Sequence, residues 1–124
     1  MREIKFRGKG KHTGEWKYGS LISYPDGKIS IYYCEGEHCW FSNIDPLTAG
    51  QFTGLKDKNG KELYEGDIIQ AFRSGKAYKG DVFVIKYFDN SFCMASEGDE
   101  TKMDTIWFYD FEVIGNIYEN KDLI

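Results

Sequence analysis

The chain has 124 residues, of which 41% are apolar and 17% aromatic, enough for one domain or one domain with a small appendage. Its formal net charge of −4 disfavours an extensive basic surface for nucleic acid. No apolar run approaches the ~20 residues of a membrane span, and the N-terminus lacks the apolar centre of a signal peptide. We therefore expect a cytoplasmic protein whose three cysteines are reduced thiols.

The first part of the chain, residues 1–48, has the pattern of a β meander. Strands are predicted at 3–7, 16–24 and 29–34, where apolar and polar residues alternate. Pro25 to Lys28 is a turn sequence, because Pro presets φ and Gly accepts a positive φ. Residues 35–45 follow no regular period and are predicted to be irregular.

The second part, residues 49–124, has short strands separated by turn residues. Turns are predicted at 57–60, 65–67 and 89–91, and loops at 73–80 and 96–104. Strands are predicted at 47–52, 67–72, 81–88, 92–95, 105–110 and 112–120. Gly115, in the middle of the last strand, predicts a β bulge or a close backbone approach. This spacing favours a mainly β protein in which the meander accompanies an SH3-like β barrel or roll.

Two segments carry a family resemblance: GQFTGLKDKNGKELYEGDII at residues 50–69 and FEVIGNIYENKDLI at residues 111–124. Together with MREIKFRGKGKHTGEWKYG at the N-terminus, they resemble the YopX family of phage and prophage proteins. The resemblance implies an SH3-like β roll with an additional β region. The family has no assigned function and no assigned catalytic residues, so the resemblance implies none here.

Polar side chains are dense in the central motif. One interpretation is a contact surface. In the motif it is formed by Gln51, Thr53, Asp57, Asn59, Glu65 and Asp67, and outside the motif it includes Trp16 and Tyr18. The alternative is local turn chemistry, in which Asn59 and Gly60 form a reverse turn while Glu65 and Asp67 accept nearby backbone N–H groups. Both interpretations remain open at the level of sequence.

Cysteine and histidine residues offer two weaker alternatives. Cys34, His38 and Cys39 with His12 could form a zinc site, although the second pair of closely spaced ligands is missing. The same Cys and His residues could form a nucleophile and base, without supporting sequence context. Carboxylate pairs for hydrolysis, Asp57 with Asp67 or Asp99 with Asp104, have no distinguishing feature. We predict no enzyme, and no catalytic, cofactor or metal residues.

Aromatic and basic residues are concentrated near the N-terminus. Trp16, Tyr18, Tyr32, Tyr33, Trp40 and Phe41 could form the core and a self-association surface, or a platform for a ligand. We predict a non-enzymatic interaction or regulatory module that forms a homo-oligomer and binds an unknown phage or host protein. The alternative is an accessory protein that binds nucleic acid through Arg2, Lys5, Arg7, Lys9, Lys11 and Lys17.

Overall fold

The computed structural model describes residues 3–96, 99–102 and 110–124, without the side chains of 79 and 99–102. The chain is mainly β, as predicted, and its strands form two antiparallel sheets. It divides into two compact units, Met1–Gly54 and Leu55–Ile124. The strands are β1 (Phe6–Lys9), β2 (Trp16–Ser23), β3 (Ile29–Glu35), β4 (His38–Ile44), β5 (Gly50–Lys56), β6 (Glu62–Tyr64), β7 (Asp67–Arg73), β8 (Lys76–Phe88), β9 (Ser91–Ser96), β10 (Asp99–Lys102) and β11 (Asp110–Asn116).

The first unit begins with the predicted meander. Strands β2 and β3 and the turn between them are confirmed, with Gly27 at φ 88° and Lys28 N donating to Asp26 Oδ1. The expectation of an irregular segment at 35–45 is wrong, because β4 pairs with β3 over its whole length, from Glu35↔His38 to Ile29↔Ile44. A two-residue turn connects these strands, and its Gly36 has φ 61°, which favours glycine.

The end of β4 also approaches the end of β1. Gly10 bridges Ile44, Lys11 N donates to Asn43 O, and Asp45 N donates to Lys9 O. Ile31 and Ile44 are the most deeply buried apolar side chains of the unit. Gly8 permits this packing, since a Cβ there would lie 2.1 Å from Ile44 Cγ2.

The first sheet has the order β4-β3-β2-β1-β5-β6. The predicted strand at 47–52 starts too early. Pro46–Thr48 is instead a 3-10 turn in which Asp45 Oδ1 accepts from Leu47 N, and β5 begins at Gly50. Pro fits at this point because its fixed φ suits the first helical residue.

The second unit contains a five-stranded sheet with the order β10-β9-β8-β7-β11. The predicted polar loop at 73–80 is wrong. Ser74 and Gly75 both have positive φ and form a two-residue hairpin turn, so that β8 begins at Lys76. The β7–β8 register shifts between Gln70 and Phe72, where Gln70 Nε2 donates to Tyr78 O and Asp81 O.

Two other predictions for this unit are confirmed. Asp89 and Asn90 have positive φ and turn β8 into β9. The register of β11 against β7 shifts between Val113 and Gly115, which is the bulge expected at that glycine. The buried residues Leu63, Ile69, Ile85, Met94 and Phe111 form a hydrophobic core cluster. The predicted loop at 96–104 contains β10, and most of the predicted strand at 105–110 lies outside the described residues.

Candidate interaction surfaces

Asp57 is a buried carboxylate in the turn of the central motif, with 6% of its surface exposed. Its Oδ1 accepts from Asn59 N and Lys61 N, each at 2.9 Å. Its Oδ2 accepts from Val113 N on β11, also at 2.9 Å. Burial alone would raise the pKa of Asp57, but the three backbone hydrogen bonds and the nearby Lys61 charge hold it below the ordinary value of 3.8. The Asp57 carboxylate therefore links the turn to β11 through hydrogen bonds to both.

The corner at residues 65–67 is held in the same way. Asp67 is almost completely buried, and its Oδ2 accepts from Tyr64 N at 2.8 Å. Gly66 N donates to Ile85 O, and Gly66 O accepts from Ile117 N. Glu65 is partly exposed, and the exposed Asn59 reaches Glu112 Oε1 through its side-chain amide at 3.4 Å. Asp57 and Asp67 therefore stabilise turns, and neither carboxylate is placed to meet a partner.

Gln51 and Thr53 lie on β5 and are partly exposed. They alternate with the buried Gly50 and Phe52, so their side chains lie on the other face of the strand. Gln51 pairs with Phe6 of β1. Gln51 and Thr53 are thus the two residues of the predicted contact surface that lie on β5.

Aromatic side chains continue along one face of strands β2 to β4, which we call the aromatic face: Trp16, Tyr18, Tyr32 and Phe41. The register places Trp16 opposite Lys9 and Tyr18 opposite Arg7, and it continues through Ser20↔Tyr32 to Tyr32↔Phe41. The Arg7 guanidinium carbon lies 4.6 Å from the centre of the Trp16 ring. The rings of Tyr32 and Phe41 are 4.9 Å apart, and Phe41 is 64% exposed.

The opposite face of the β3–β4 hairpin carries a second aromatic pair. Tyr33 stacks on Trp40 with their ring centres 5.4 Å apart, and Trp40 is 42% exposed. Lys17 Nζ lies 5.4 Å from the Tyr33 ring. A side-chain hydrogen bond to Glu15 and a weaker one to Tyr33 raise the pKa of Lys17 above its ordinary value. The hairpin therefore exposes large rings on both of its faces.

The predicted basic residues are distributed over different surfaces. Arg7 and Lys9 accompany Trp16, whereas Lys17 belongs to the opposite face. Lys5 Nζ lies 5.4 Å from the Phe52 ring, and Lys11 is exposed in the turn after β1. Arg2 lies outside the described residues.

Cys34 and Cys39 form a disulfide, so the prediction of three reduced thiols is wrong. The two residues are opposite each other in the β3–β4 register, with their Cα atoms 4.0 Å apart. Only a thiolate acts as a zinc ligand or a nucleophile, and cysteines in a disulfide have none. The oxidised protein therefore has neither the zinc site nor the Cys–His pair considered above. Among the described residues, no group of three or more His, Cys, Asp or Glu side chains is placed to hold a metal ion.

A sequence signal for this disulfide was present. If Gly36 and Glu37 form a two-residue turn, Glu35 faces His38, and Cys34 must then face Cys39. Our prediction relied on the expected reducing compartment instead of this register. Cys93, by contrast, is a free thiol buried in β9.

The number of reactive thiols tests this pairing. After denaturation without a reductant, we expect one thiol per chain to react with iodoacetamide, and three after reduction. The disulfide closes a short loop, so its removal by Cys34→Ser with Cys39→Ser should lower the free energy of unfolding by about 2 kcal/mol. Three thiols labelled without reduction in air-oxidised protein would contradict the assignment.

The carboxylate pairs proposed for hydrolysis have no support from the described side chains. Asp57 and Asp67 each accept backbone N–H groups in separate turns. Asp99 lies in β10, but its side chain and Asp104 are outside what the structure describes. Within the described part of the chain, no helix is long and apolar enough to cross a membrane.

A sequence model of the YopX protein family matches residues 5–124. The chain belongs to the YopX family. No curated protein matches it. Two solved structures of similar fold are protein EF1440 from Enterococcus faecalis and yopX from Bacillus subtilis. Each matches 99% of this chain with a TM-score of 0.63 and 22% sequence identity. The match covers 99% of EF1440 and 96% of yopX.

The matched residues 5–124 include both the meander and the five-stranded sheet. At 22% identity, the two solved structures establish the fold alone. We therefore base the functional proposal on the side chains of the aromatic face and of the β3–β4 hairpin.

Proposed function

We propose that this YopX family member is a non-enzymatic interaction module, encoded by a phage or prophage, that self-associates in the bacterial cytoplasm. It would act by binding an unknown phage or host protein. The observation that supports this proposal is the exposed ring area of the β2–β4 strands. Tyr18 is 46%, Trp40 42% and Phe41 64% exposed.

These rings are not needed to fill the interior of the first unit. Ile31 and Ile44 are fully or almost fully buried there, and Phe52 is 5% exposed. Large apolar side chains that remain exposed on a folded protein, here on both faces of the β2–β4 strands, often mark an interface. Aromatic side chains also dominate the energetically important part of protein interfaces.

A binding role also agrees with the use of the polar motif. The buried carboxylates of Asp57 and Asp67 already accept backbone N–H groups. Groups committed in this way are poorly suited to act as a general base or a nucleophile, because a substrate would have to displace their partners. The motif therefore supports the scaffold on which an interaction surface is presented.

The test is the molar mass in solution over a concentration series. We expect light scattering to show a mass above the 14.4 kDa of one chain at tens of micromolar. Phe41→Ser should raise the dissociation constant by roughly tenfold, because a ring buried on association is lost. Phe88→Ser is the matched control, since Phe88 is a similarly exposed strand residue at 57% in the second unit.

Each outcome has a distinct meaning. A strict monomer at tens of micromolar would remove the self-association from the proposal. An oligomer weakened equally by Phe41→Ser and Phe88→Ser would show that general apolar attraction, and not the β2–β4 strands, holds it together. An effect confined to Phe41→Ser would support the proposed surface.

Nucleic-acid binding is the second candidate, favoured by the position of Arg7 and Lys9 beside Trp16. Lys9 Nζ lies 5.9 Å from the Trp16 ring, and the exposed Tyr18 is adjacent on β2. Proteins that bind single strands combine cations for the phosphates with rings on which bases stack. The arrangement of Lys9, Trp16 and Tyr18 resembles that combination.

A band-shift experiment at low and moderate salt tests this candidate. Binding should weaken with a logarithmic salt slope of about −0.7 for each phosphate contacted on a single strand. Lys9→Glu with Lys11→Glu should weaken it, whereas Lys28→Glu, in an exposed turn beside Asp26, should not. The absence of any shift at low salt on single- and double-stranded oligonucleotides would end this candidate.

A further inference from the structure

Strand β4 has an open hydrogen-bonding edge. It is the first strand in the order β4-β3-β2-β1-β5-β6 and pairs with β3 on one side. On its other side, the residues after Ser42 meet the end of β1, through Lys11 N to Asn43 O and Asp45 N to Lys9 O. Within residues 3–96, 99–102 and 110–124, the remaining stretch 38–42 has no strand partner on that side.

The register identifies the backbone groups that point away from the sheet. Asn43 O and Asp45 N point outward, because they bond to residues 9–11 and not to β3. Backbone groups alternate along an antiparallel strand, so the N–H and C=O of Cys39 and Phe41 also point outward. The short Cα–Cα distance of 4.0 Å between Cys34 and Cys39 agrees, since it is typical of pairs that share no hydrogen bonds.

This edge lacks the features that usually prevent strands from pairing between molecules. The open stretch 38–42 contains no proline, lysine, arginine, aspartate or glutamate. The β3–β4 register contains no bulge from Glu35↔His38 to Ile29↔Ile44. Natural edge strands commonly use a charge, a proline or a bulge to block such pairing.

We propose that β4 pairs with β4 of a second copy of the chain, antiparallel and related by a two-fold axis at Trp40. In this register Cys39 of each copy exchanges hydrogen bonds with Phe41 of the other. The inference rests on the self-association proposed above and specifies its geometry. It joins the two meanders into one continuous sheet and places the two Trp40 residues opposite each other.

The position of the axis follows from the limits of the open edge. The open stretch 38–42 has Trp40 at its midpoint, so a symmetric pair centred there uses all of it. An axis at Phe41 would instead require the Asn43 C=O, which already accepts from Lys11 N. The proposed register also brings Glu37 of one copy opposite position 43 of the other, where the second copy's exposed Lys11 can attract it.

Cross-linking tests the register. At the axis, the two Cα atoms of position 40 would lie about 4.5 Å apart, within disulfide range. At position 42 they would lie about 14 Å apart, because four residue steps separate them along the strands. Under mild oxidation, the Trp40→Cys variant should form a covalent dimer through the introduced thiol, and Ser42→Cys should not. Peptide mapping separates this bond from exchange with the native disulfide.

A second pair of variants tests the backbone hydrogen bonds. Phe41→Pro removes an outward N–H and leaves the β3–β4 ladder intact, whereas Phe41→Val also loses the ring but keeps the N–H. Two N–H groups are lost per dimer, so the proline variant should dissociate at least roughly tenfold more readily than the valine variant. Circular dichroism of both variants verifies that the strands remain folded.

The outcomes separate this inference from the broader proposal. A strict monomer would overturn both. A stable oligomer in which Phe41→Pro and Phe41→Val behave alike, or in which Ser42→Cys cross-links and Trp40→Cys does not, would overturn the β4 pairing alone. Cross-linking confined to Trp40→Cys, together with a larger effect of proline than of valine, would support the proposed geometry.

Discussion

Replacing Asp57 with alanine is expected to lower the free energy of unfolding by on the order of 3 kcal/mol. The side chain is 6% exposed and accepts from the backbone N–H groups of Asn59, Lys61 and Val113, each at 2.9 Å. Alanine would leave these donors without their acceptor and would release the turn from β11. Urea unfolding followed by circular dichroism measures the loss.

Asp26→Ala provides a matched control. Asp26 also accepts a hydrogen bond in a turn, from Lys28 N at 3.0 Å, but it is exposed to water. Water can replace this single bond, so the control should lose no more than about 1 kcal/mol. Equal losses for Asp57→Ala and Asp26→Ala would show that the buried hydrogen bonds contribute nothing beyond ordinary turn chemistry.

The Asp57 carboxylate also makes stability depend on pH in a defined direction. Its pKa in the folded protein lies below the ordinary 3.8 of the unfolded chain. Its contribution is therefore complete above about pH 5 and is lost as the pH falls through the folded pKa. Asp57→Asn should remove this part of the acid destabilisation, so the stability gap between the wild type and this variant should narrow towards about pH 3. A gap that stays constant with pH would contradict the assignment.

Turns determined much of what the sequence could predict. Two turns and one bulge were predictable locally, because their residues tolerate unusual backbone angles. They are the turn at Asp89 and Asn90, the turn at Gly27 and the bulge at Gly115. Strand β4 was not, because Trp40 and Phe41 are adjacent large rings that both remain exposed. Alternation arises when one face of a strand is buried, whereas residues 34–41 of this hairpin are all exposed.

The candidate site was less predictable because its interactions are long-range. The sequence indicated a turn at Asp57, but nothing local specifies that its Oδ2 accepts from Val113, 56 residues away. Likewise, six basic residues near the N-terminus suggested one patch, whereas the register places Arg7 and Lys17 on opposite faces. A register depends on strand pairing across the whole sheet, and composition does not determine it.

Gly19→Ala is expected to be the other severe substitution, with a loss on the order of 3 kcal/mol. Gly19 lies in β2, where the strand pairs with β1 on one side and approaches β3 on the other. A Cβ at this position would lie 2.2 Å from the carbonyl oxygen of Tyr32 and 3.2 Å from Ile31 Cγ2. The obstructing oxygen belongs to the backbone, so relief requires β3 to move away from β2.

Movement of β3 would disturb the Ser20↔Tyr32 pair and the packing of Ile31, which is fully buried. Gly80→Ala is the matched control, because Gly80 also lies in a strand, yet among the described atoms beyond its chain neighbours none lies within 4 Å of the position of its Cβ. The control should change stability by less than about 1 kcal/mol, since alanine restricts the unfolded chain more than glycine does. Thermal unfolding of both variants compares the two losses of stability. A Gly19→Ala protein as stable as the Gly80→Ala control would show that β2 and β3 do not approach each other this closely.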